Sequence, residues 1–201
     1  MLEPVNSVFI ETEEKRSRFL NELIPVSDET ALKQRQAELR LQHPKASHVC
    51  YGFRYFNEHN QVVEGFSDDG EPGGTAGQPI LKVLQHHGVV NAAVLITRYF
   101  GGTKLGTGGL QRAYAQGAGA ICAQAEPTLR EYRQLLTQTA QCDFAQESTL
   151  RRLIAQAGLC VIKEEYVADG PVLALEGTQE AFEQLINAPE GRLIRFSDDQ
   201  A

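Results

Sequence analysis

The sequence lacks the segments that mark membrane and secreted proteins. It has no run of about eighteen consecutive apolar residues, the length that spans a bilayer. Its start, Met1-Leu2-Glu3-Pro4, has neither the basic nor the apolar part of a secretory signal. The four cysteines include no Cys-x-x-Cys pair, which favours reduced, buried thiols over a disulfide framework or a zinc site. These absences predict a cytoplasmic protein with no membrane partner.

The standard nucleotide-binding and hydrolase motifs are also missing. No Gly-Lys-Ser or Gly-Lys-Thr completes a P-loop, and the third glycine of a dinucleotide fingerprint would fall on Gln111. No Gly-x-Ser-x-Gly elbow is present. His48 and Cys50 lie two residues apart, on one face of a predicted strand, but two ligands do not make a zinc site. The sequence therefore predicts no cofactor and no metal.

The net charge of −7 is distributed unevenly along the chain. Residues 1–130 contain 13 Lys and Arg against 14 Asp and Glu, a net charge of −1. The remaining residues contain 6 against 12, a net charge of −6. A nearly neutral first half can carry a local basic patch for phosphate, whereas a uniformly acidic second half is unsuited to holding a nucleic-acid backbone alone.

Hydrophobic patterning divides the 201 residues into two α+β halves that meet near residues 126–131. In the first half the predicted strands are 8–10, 19–26, 48–56, 61–66 and 89–100, and the predicted helices are 27–43, 76–87 and 110–125. The second half predicts the order strand, helix, strand, strand, helix, strand, which is the ferredoxin-like βαββαβ order. The expected domains are residues 1–130 and 131–201.

Glycine is concentrated in one stretch: thirteen of the 18 glycines lie between Gly65 and Gly119. Because glycine inside helices and strands lowers stability, this clustering indicates tight turns or close approach of the backbone to another group. The stretch contains two notable phrases, Gly65 to Pro79 and Arg98 to Leu110.

The phrase from Arg98 to Leu110 predicts a strand, a glycine loop and a helix start. Backbone amides at such a helix start can face an anion, and Arg98 and Lys104 add positive charge. The alternative is that the glycines only permit turns and helix packing.

The phrase from Gly65 to Pro79 forms a polar loop. Its polar members are Ser67, Asp68, Asp69, Glu71 and Thr75. Carboxylates and hydroxyls in this arrangement suit a magnesium site or an acid/base cluster. A solvated turn, in which the Asp side chains bond their own backbone, is the favoured interpretation.

Four segments, taken together and in order, resemble the IMPACT family, whose bacterial members are called YigZ-like. They are Lys15 to Phe19, His43-Pro44 with His48 to Cys50, and the two glycine-rich phrases. The resemblance implies that the first domain has the βαβ fold with a left-handed crossover of domain IV of elongation factor G. It implies a second domain similar to the ferredoxin-like domains of the same factor, and no established enzymatic activity.

These observations predict a non-enzymatic protein that binds RNA or the ribosome and acts as a regulator of translation. Phosphate contacts are expected from cationic side chains and base stacking from an aromatic one, while glycines let the backbone approach. The residues are Lys15, Arg16, Arg18, Arg98, Lys104, Tyr99, Gly101, Gly102, Gly106, Gly108 and Gly109. One alternative is a metal-dependent, phosphate-handling enzyme using Asp68, Asp69 and Glu71. The other is an adaptor that binds a protein of the translation machinery through the acidic second domain.

Overall fold

A computed structural model describes residues 1–198, and the chain divides into two compact units, residues 1–132 and residues 133 onward. Both units mix helices with antiparallel sheets, so the fold is α+β. The first unit contains β1 (Leu2–Pro4), β2 (Val8–Glu14), β3 (Ser17–Pro25), α1 (Glu29–Gln42), β4 (His48–Phe56), β5 (Val62–Ser67), α2 (Gly77–His86), β6 (Ala92–Tyr99), α3 (Thr107–Ala125) and β7 (Leu129–Glu131).

The main sheet of the first unit has five strands in the order β2-β3-β6-β4-β5, and each neighbouring pair is antiparallel. The central strand, β6, is almost continuously apolar, because a strand with helices over both faces has no solvent-facing side. Its register places Arg98 opposite Phe19 of β3 and opposite His48 of β4. The three side chains therefore lie in one row across the sheet.

Helices cover both faces of this sheet, since alternate residues of a strand point to opposite sides. Val94 and Ile96 of β6 belong to the hydrophobic cluster that includes α2 and α3. Leu95, between them, belongs to the cluster that includes α1. Because Arg98 has the same parity as Val94 and Ile96, its side chain lies on the α2–α3 face.

The boundaries of two helices differ from the sequence prediction. Helix α1 begins at Glu29, two residues after the predicted start at 27, and the side chain of Asp28 caps it: Oδ1 accepts from the amides of Thr30 and Ala31 at 2.7 and 3.0 Å. Helix α3 begins at Thr107, three residues before the predicted start at Leu110. Two glycines that were predicted to lie in the loop, Gly108 and Gly109, thus form part of the first helical turn.

The second unit contains β8 (Leu136–Gln141), α4 (Glu147–Ala157), β9 (Cys160–Val167), β10 (Gly170–Gly177), α5 (Gln179–Ile186) and β11 (Arg195–Asp198). The four strands form one antiparallel sheet in the order β11-β8-β10-β9. Its hydrophobic cluster includes Leu150 and Ile154 of α4 and Phe182 of α5, which pack on the sheet. Helix α4 ends at Gly158, whose φ of 72° suits a residue without a Cβ.

Two observations concern the chain as a whole. No helix within residues 1–198 is both long enough and apolar enough to span a membrane. All four cysteines are free thiols, and three of them are buried while Cys160 is exposed.

We predict that a fragment of residues 1–132 folds by itself, because both hydrophobic clusters of the first unit lie within it. Strand β7 belongs to this unit through its antiparallel pairing with β1. The fragment should melt cooperatively when followed by circular dichroism. A fragment of residues 1–125, which lacks β7, should melt at a lower temperature. Non-cooperative melting of the longer fragment would show that the two units fold as one.

Candidate functional site

Asp68 of the polar loop has a structural task, which is to cap helix α2. The N-cap residue, Ala76, has no side-chain acceptor, so the first amides of the helix need a partner from elsewhere. The carboxylate of Asp68 accepts hydrogen bonds from the amides of Gly74, Ala76 and Gly77 at 2.8, 2.9 and 2.8 Å. Three bonds from backbone donors leave little of its charge for an external ligand.

Asp69 ties the polar loop to two other elements. Its Oδ2 accepts from the amide of Val49 on β4 at 2.5 Å, and its Oδ1 pairs with Arg40 on α1. Its φ of 47° is a left-handed conformation that Asp tolerates better than most residues. The hydroxyls nearby also bond within the loop, since Ser67 accepts from the amide of Asp69 and Thr75 donates to the carbonyl of Pro72.

Glu71 and Arg98 form a buried ion pair at the centre of the site. Arg98 is 5% exposed and Glu71 is 8% exposed, and one guanidinium nitrogen of Arg98 lies 2.6 Å from Oε1 of Glu71. The same Oε1 accepts a hydrogen bond from the hydroxyl of Tyr114 on α3 at 2.8 Å. The guanidinium carbon also lies 5.6 Å from the ring centroid of Phe19. A buried charge needs such compensation, because desolvation is costly without it.

Two further side chains, Cys50 and His48 of β4, complete what we call the Arg98–Glu71 cluster, together with Arg98, Glu71 and Tyr114. The Cys50 thiol donates to the carbonyl of Asp68 at 3.1 Å. His48 Nδ1 lies 2.8 Å from the carbonyl of Asp69, which can only accept, so Nδ1 carries the proton. His48 Nε2 lies 3.9 Å from Oε2 of Glu71. Every member of the cluster is thus held by another part of the protein.

Two members of the cluster, Cys50 and Tyr114, have raised pKa values. Burial raises the pKa of the Cys50 thiol far above its ordinary value, and burial likewise raises the pKa of the Tyr114 hydroxyl. Both groups therefore keep their protons at neutral pH. Because the thiolate is the nucleophilic form of cysteine, Cys50 is unsuited to covalent catalysis.

The three carboxylates that suggested a magnesium site point to protein donors rather than to a common centre. Asp68 faces the start of α2, Asp69 faces β4 and α1, and Glu71 faces Arg98 and Tyr114. Among residues 1–198, no group of three or more His, Cys, Asp or Glu side chains is arranged to hold a metal ion. The arrangement anchors the loop to the sheet and helices instead.

The glycine loop comprises residues 101–106 and packs against the turn between β2 and β3. The amide of Gly101 donates to the buried Ser17 hydroxyl at 3.1 Å. A Cβ on Gly101 would overlap the backbone carbonyl of Arg16, so only glycine allows this contact. Gly102 and Gly106 have φ values of 84° and 71°, which other residues rarely adopt. Gly106 precedes α3, whose first turn receives no side-chain cap.

The contact of Gly101 with Arg16 brings the predicted cations of two segments together. Lys15 and Arg16 form the tip of the β2–β3 turn, and Lys104 lies three residues beyond Gly101. Three Cα–Cα steps of 3.80 Å limit the separation of Lys104 from Gly101 to about 11 Å. All three cations are exposed, and none forms an ion pair with a described residue. We call this region, Lys15, Arg16 and residues 101–109, the glycine-loop surface.

Two other predicted contact residues are engaged within the protein. Arg18 pairs with Glu11 at 2.6 Å, and its guanidinium lies 5.8 Å from the ring centroid of Tyr99. The Tyr99 hydroxyl lies 2.9 Å from Nδ1 of His43. Phe100 is 50% exposed beside the glycine loop, and the guanidinium carbon of Arg98 lies 5.7 Å from its ring centroid.

Sequence reasoning missed Tyr114 and Ser17, which hold the two phrases in place. Tyr114 bonds Glu71 of the polar loop, and Ser17 bonds Gly101 of the glycine loop. The available signal was Arg98 itself, since a charge at the end of a buried apolar strand requires a nearby carboxylate.

The chain is similar to known proteins over the region that contains the polar loop, the glycine loop and the β2–β3 turn. Residues 15–122 match the Impact N-terminal domain family, so the match covers both phrases and the β2–β3 turn. The IMPACT family member YigZ of Escherichia coli is 36% identical over 82% of this chain and 80% of its own length. An IMPACT family member of Haemophilus influenzae is 32% identical over 96% of this chain and 94% of its own. The crystal structure of a hypothetical protein, 31% identical, superposes with a TM-score of 0.70 over 98% of this chain and 96% of that one. This chain therefore belongs to the IMPACT family and is similar to its YigZ member.

Proposed function

We propose that this protein binds RNA or the ribosome without catalysing a reaction, and that the glycine-loop surface makes the contact. The observation that carries the proposal is the placement of Lys15, Arg16 and Lys104 around one backbone turn, exposed and without ion-pair partners among the described residues. Unpaired, clustered cations are the usual phosphate contacts of nucleic-acid-binding surfaces.

The backbone of the same surface supports phosphate binding. The first turn of α3, Thr107 to Gly109, has no capping side chain and no acidic residue. Free amides and the positive end of the helix dipole both favour an anion there. Gly108 of this turn, like Gly102 and Gly106, is exposed and presents no side chain that would keep a phosphate away. Phe100 supplies an exposed ring on which a base can stack.

Arg98 stabilises the position of the glycine-loop surface and does not itself contact the ligand. Its charge is compensated by Glu71, and it is buried, so we assign direct phosphate contact to Lys15, Arg16 and Lys104 instead. The Arg98–Glu71 cluster joins β6, the polar loop and α3, and thereby fixes the position from which the glycine loop leaves the sheet.

The test is the salt dependence of RNA binding by charge variants of the full chain. We expect Lys15→Ala, Arg16→Ala and Lys104→Ala each to weaken binding of a single-stranded RNA of about ten nucleotides, with the largest loss at low salt. Each lost phosphate contact should reduce the slope of log K against log salt concentration by about 0.7. Fluorescence anisotropy measures RNA binding by each variant, and co-sedimentation with purified ribosomes measures ribosome binding.

The control is Lys33→Ala, which removes an exposed lysine from α1, on the other face of the sheet, where it pairs with Glu29 at 2.9 Å. It should leave both the affinity and the salt slope at the parent values. If the triple variant Lys15→Ala, Arg16→Ala, Lys104→Ala bound RNA and ribosomes like the parent at every salt concentration, the glycine-loop surface would not be the binding site.

We also infer which known folds the two units share and what role the protein has in the cell. We infer that the first unit has the fold of domain IV of elongation factor G, and that the βαββαβ unit is ferredoxin-like. Fold relationships of this kind are analogy with respect to function. Together with the proposed RNA contact, they support a cytoplasmic regulator of translation.

An adaptor that binds a protein of the translation machinery is the second candidate, and strand β9 favours it. β9 is an edge strand of the second sheet, and all eight of its residues are exposed. Its exposed apolar side chains include Ile162 and Tyr166. An exposed strand edge can accept a strand from a partner protein.

A further inference from the structure

A groove between α2 and α3 opens beside the glycine-loop surface. Its volume is about 480 Å³. That volume lies within the range of small-ligand sites, about 300–1,000 Å³. Gly108 of the first turn of α3 belongs to both the groove and the glycine-loop surface. The two features are therefore continuous.

The charge of the groove differs from that of another cavity of the first unit. This second cavity has a volume of about 650 Å³ and lies beside β1 and β7. That larger cavity is lined by Glu3 and Arg130, which neutralise each other in an ion pair at 2.8 Å. The groove of about 480 Å³ is lined by Lys82 and Arg112, and neither forms an ion pair with a described residue. None of its twelve lining residues is an Asp or Glu, although the chain as a whole is acidic. The groove therefore favours an anionic ligand.

Helical spacing explains why these side chains line one groove. Gln78, Lys82 and His86 recur every four residues and share one face of α2. The facing side of α3 carries small residues, Ala115 and Gly119, between Gln111 and Arg112 at one end and the end of the helix at the other. A Cβ built on Gly119 would meet no atom within 4 Å, so the space above it is open.

The other lining groups suit a base rather than a simple anion. His86 and His87 are exposed and both line the groove, and their rings lie 5.6 Å apart in an edge-to-face arrangement. Imidazole rings stack on bases. Gln78 carries an amide group that donates and accepts hydrogen bonds, as base edges require, and the Gln111 amide nitrogen donates to the carbonyl of Gly74 at 3.3 Å while its oxygen can accept. Phosphate, base edge and base face thus each have a matching group.

We propose that the α2–α3 groove binds one nucleotide of a single-stranded RNA, with Lys82 and Arg112 on its phosphate and His86 or His87 against its base. This proposal rests on the proposed RNA binding and extends it, because the strand would continue from the glycine-loop surface past Gly108 into the groove. It commits to a nucleotide within a strand rather than to a free nucleotide, since Gly108 belongs to both the groove and the glycine-loop surface.

The first test removes charge from the groove of the full chain. Lys82→Ala with Arg112→Ala should weaken binding of a single-stranded RNA of about ten nucleotides by about tenfold, the order expected for the contacts of one nucleotide. Lys33→Ala on α1 is again the control for loss of one exposed positive charge, and should have no effect. Parent-like affinity of the double variant would overturn the groove proposal.

The second test fills the groove without changing its charge. Gly119→Leu places a side chain in open space, so the variant should melt at or above the temperature of the parent, because glycine is a poor helix former. It should weaken RNA binding by a similar factor. Gly119→Ala, which adds only a Cβ, should lower the RNA affinity less than Gly119→Leu does. If Gly119→Leu folded and bound RNA normally, the groove would be unoccupied in the complex.

Failure of this proposal is distinguishable from failure of the proposed function. Loss of binding in the Lys104→Ala variant but not in the groove variants would overturn only the groove. Loss in the groove variants alone would retain the groove and overturn the glycine-loop surface. Adenosine and uridine monophosphates should compete only weakly with the RNA. If either bound as tightly as the RNA did, the groove would be a free-nucleotide site, and the strand assignment would be wrong.

Discussion

Glu71→Ala is expected to lower the free energy of unfolding by about 3–5 kcal/mol, the range seen when one partner of a buried ion pair is removed. Arg98, only 5% exposed, would keep its charge but lose the carboxylate 2.6 Å away. Tyr114 would lose the acceptor of its hydroxyl at the same time. Urea denaturation of parent and variant measures the difference.

Two comparisons separate this effect from a general loss of charge. Replacing both partners, with Glu71→Leu and Arg98→Met, should be less destabilising than Glu71→Ala alone, because no unpaired charge then remains buried. Glu11→Ala removes one partner of an exposed pair of the same length, 2.6 Å, and should change the urea midpoint little. A Glu71→Ala effect as small as that of Glu11→Ala would show that the Arg98 charge reaches water.

The role of Arg98 illustrates what the sequence could not show. The predicted strand 89–100 contained Arg98, as β6 does, but the partner of Arg98 lies 27 residues away in a loop of irregular structure. The contact arises only because the sheet register places Arg98 beside His48 and Phe19, beneath the polar loop. Register across non-consecutive strands is a tertiary property, and local patterning carries no information on it.

The helices and strands were easier to predict from the sequence than the contacts between them. The long apolar run that became β6 predicted a central strand because burial on both faces removes the need for polar residues. The start of α3 was predicted too late, since Gly108 and Gly109 read as loop residues by propensity. Their helical conformation depends on tertiary contacts, among them the packing of Leu105 and Leu110 in the core.

The order of elements in the second half was also predictable, because each helix has a distinct apolar face. Leu150, Leu153 and Ile154 lie at helical spacing, and all three are buried in α4. The Asp169-Gly170 pair marks the turn between β9 and β10, where Gly170 has a φ of 144°. Patterning did not reveal that all eight residues of β9, an edge strand, are exposed.

Gly101→Ala should be the most disruptive single substitution in the glycine loop, although it adds only one methyl group. The new Cβ would overlap the backbone of Arg16 and Ser17, and backbone atoms cannot move aside as the end of a flexible side chain can. Overpacking of this kind costs about 1–3 kcal/mol or more. Relief of the overlap would separate the glycine loop from the β2–β3 turn and break the hydrogen bond from the Gly101 amide to Ser17. RNA binding should therefore fall as well, because Lys15 and Arg16 would move away from Lys104.

Gly73→Ala is the matched control, since it makes the same chemical change in the neighbouring polar loop, where a Cβ would meet nothing within 4 Å. It should melt and bind RNA as the parent does. Thermal melting tests the packing argument, and anisotropy at a temperature where both variants are folded tests the binding argument. A Gly101→Ala variant with parent-like stability would show that the turn and the loop are not in contact in solution. A variant that is destabilised but binds RNA at full strength would show that the two segments need not be held together to form the binding surface.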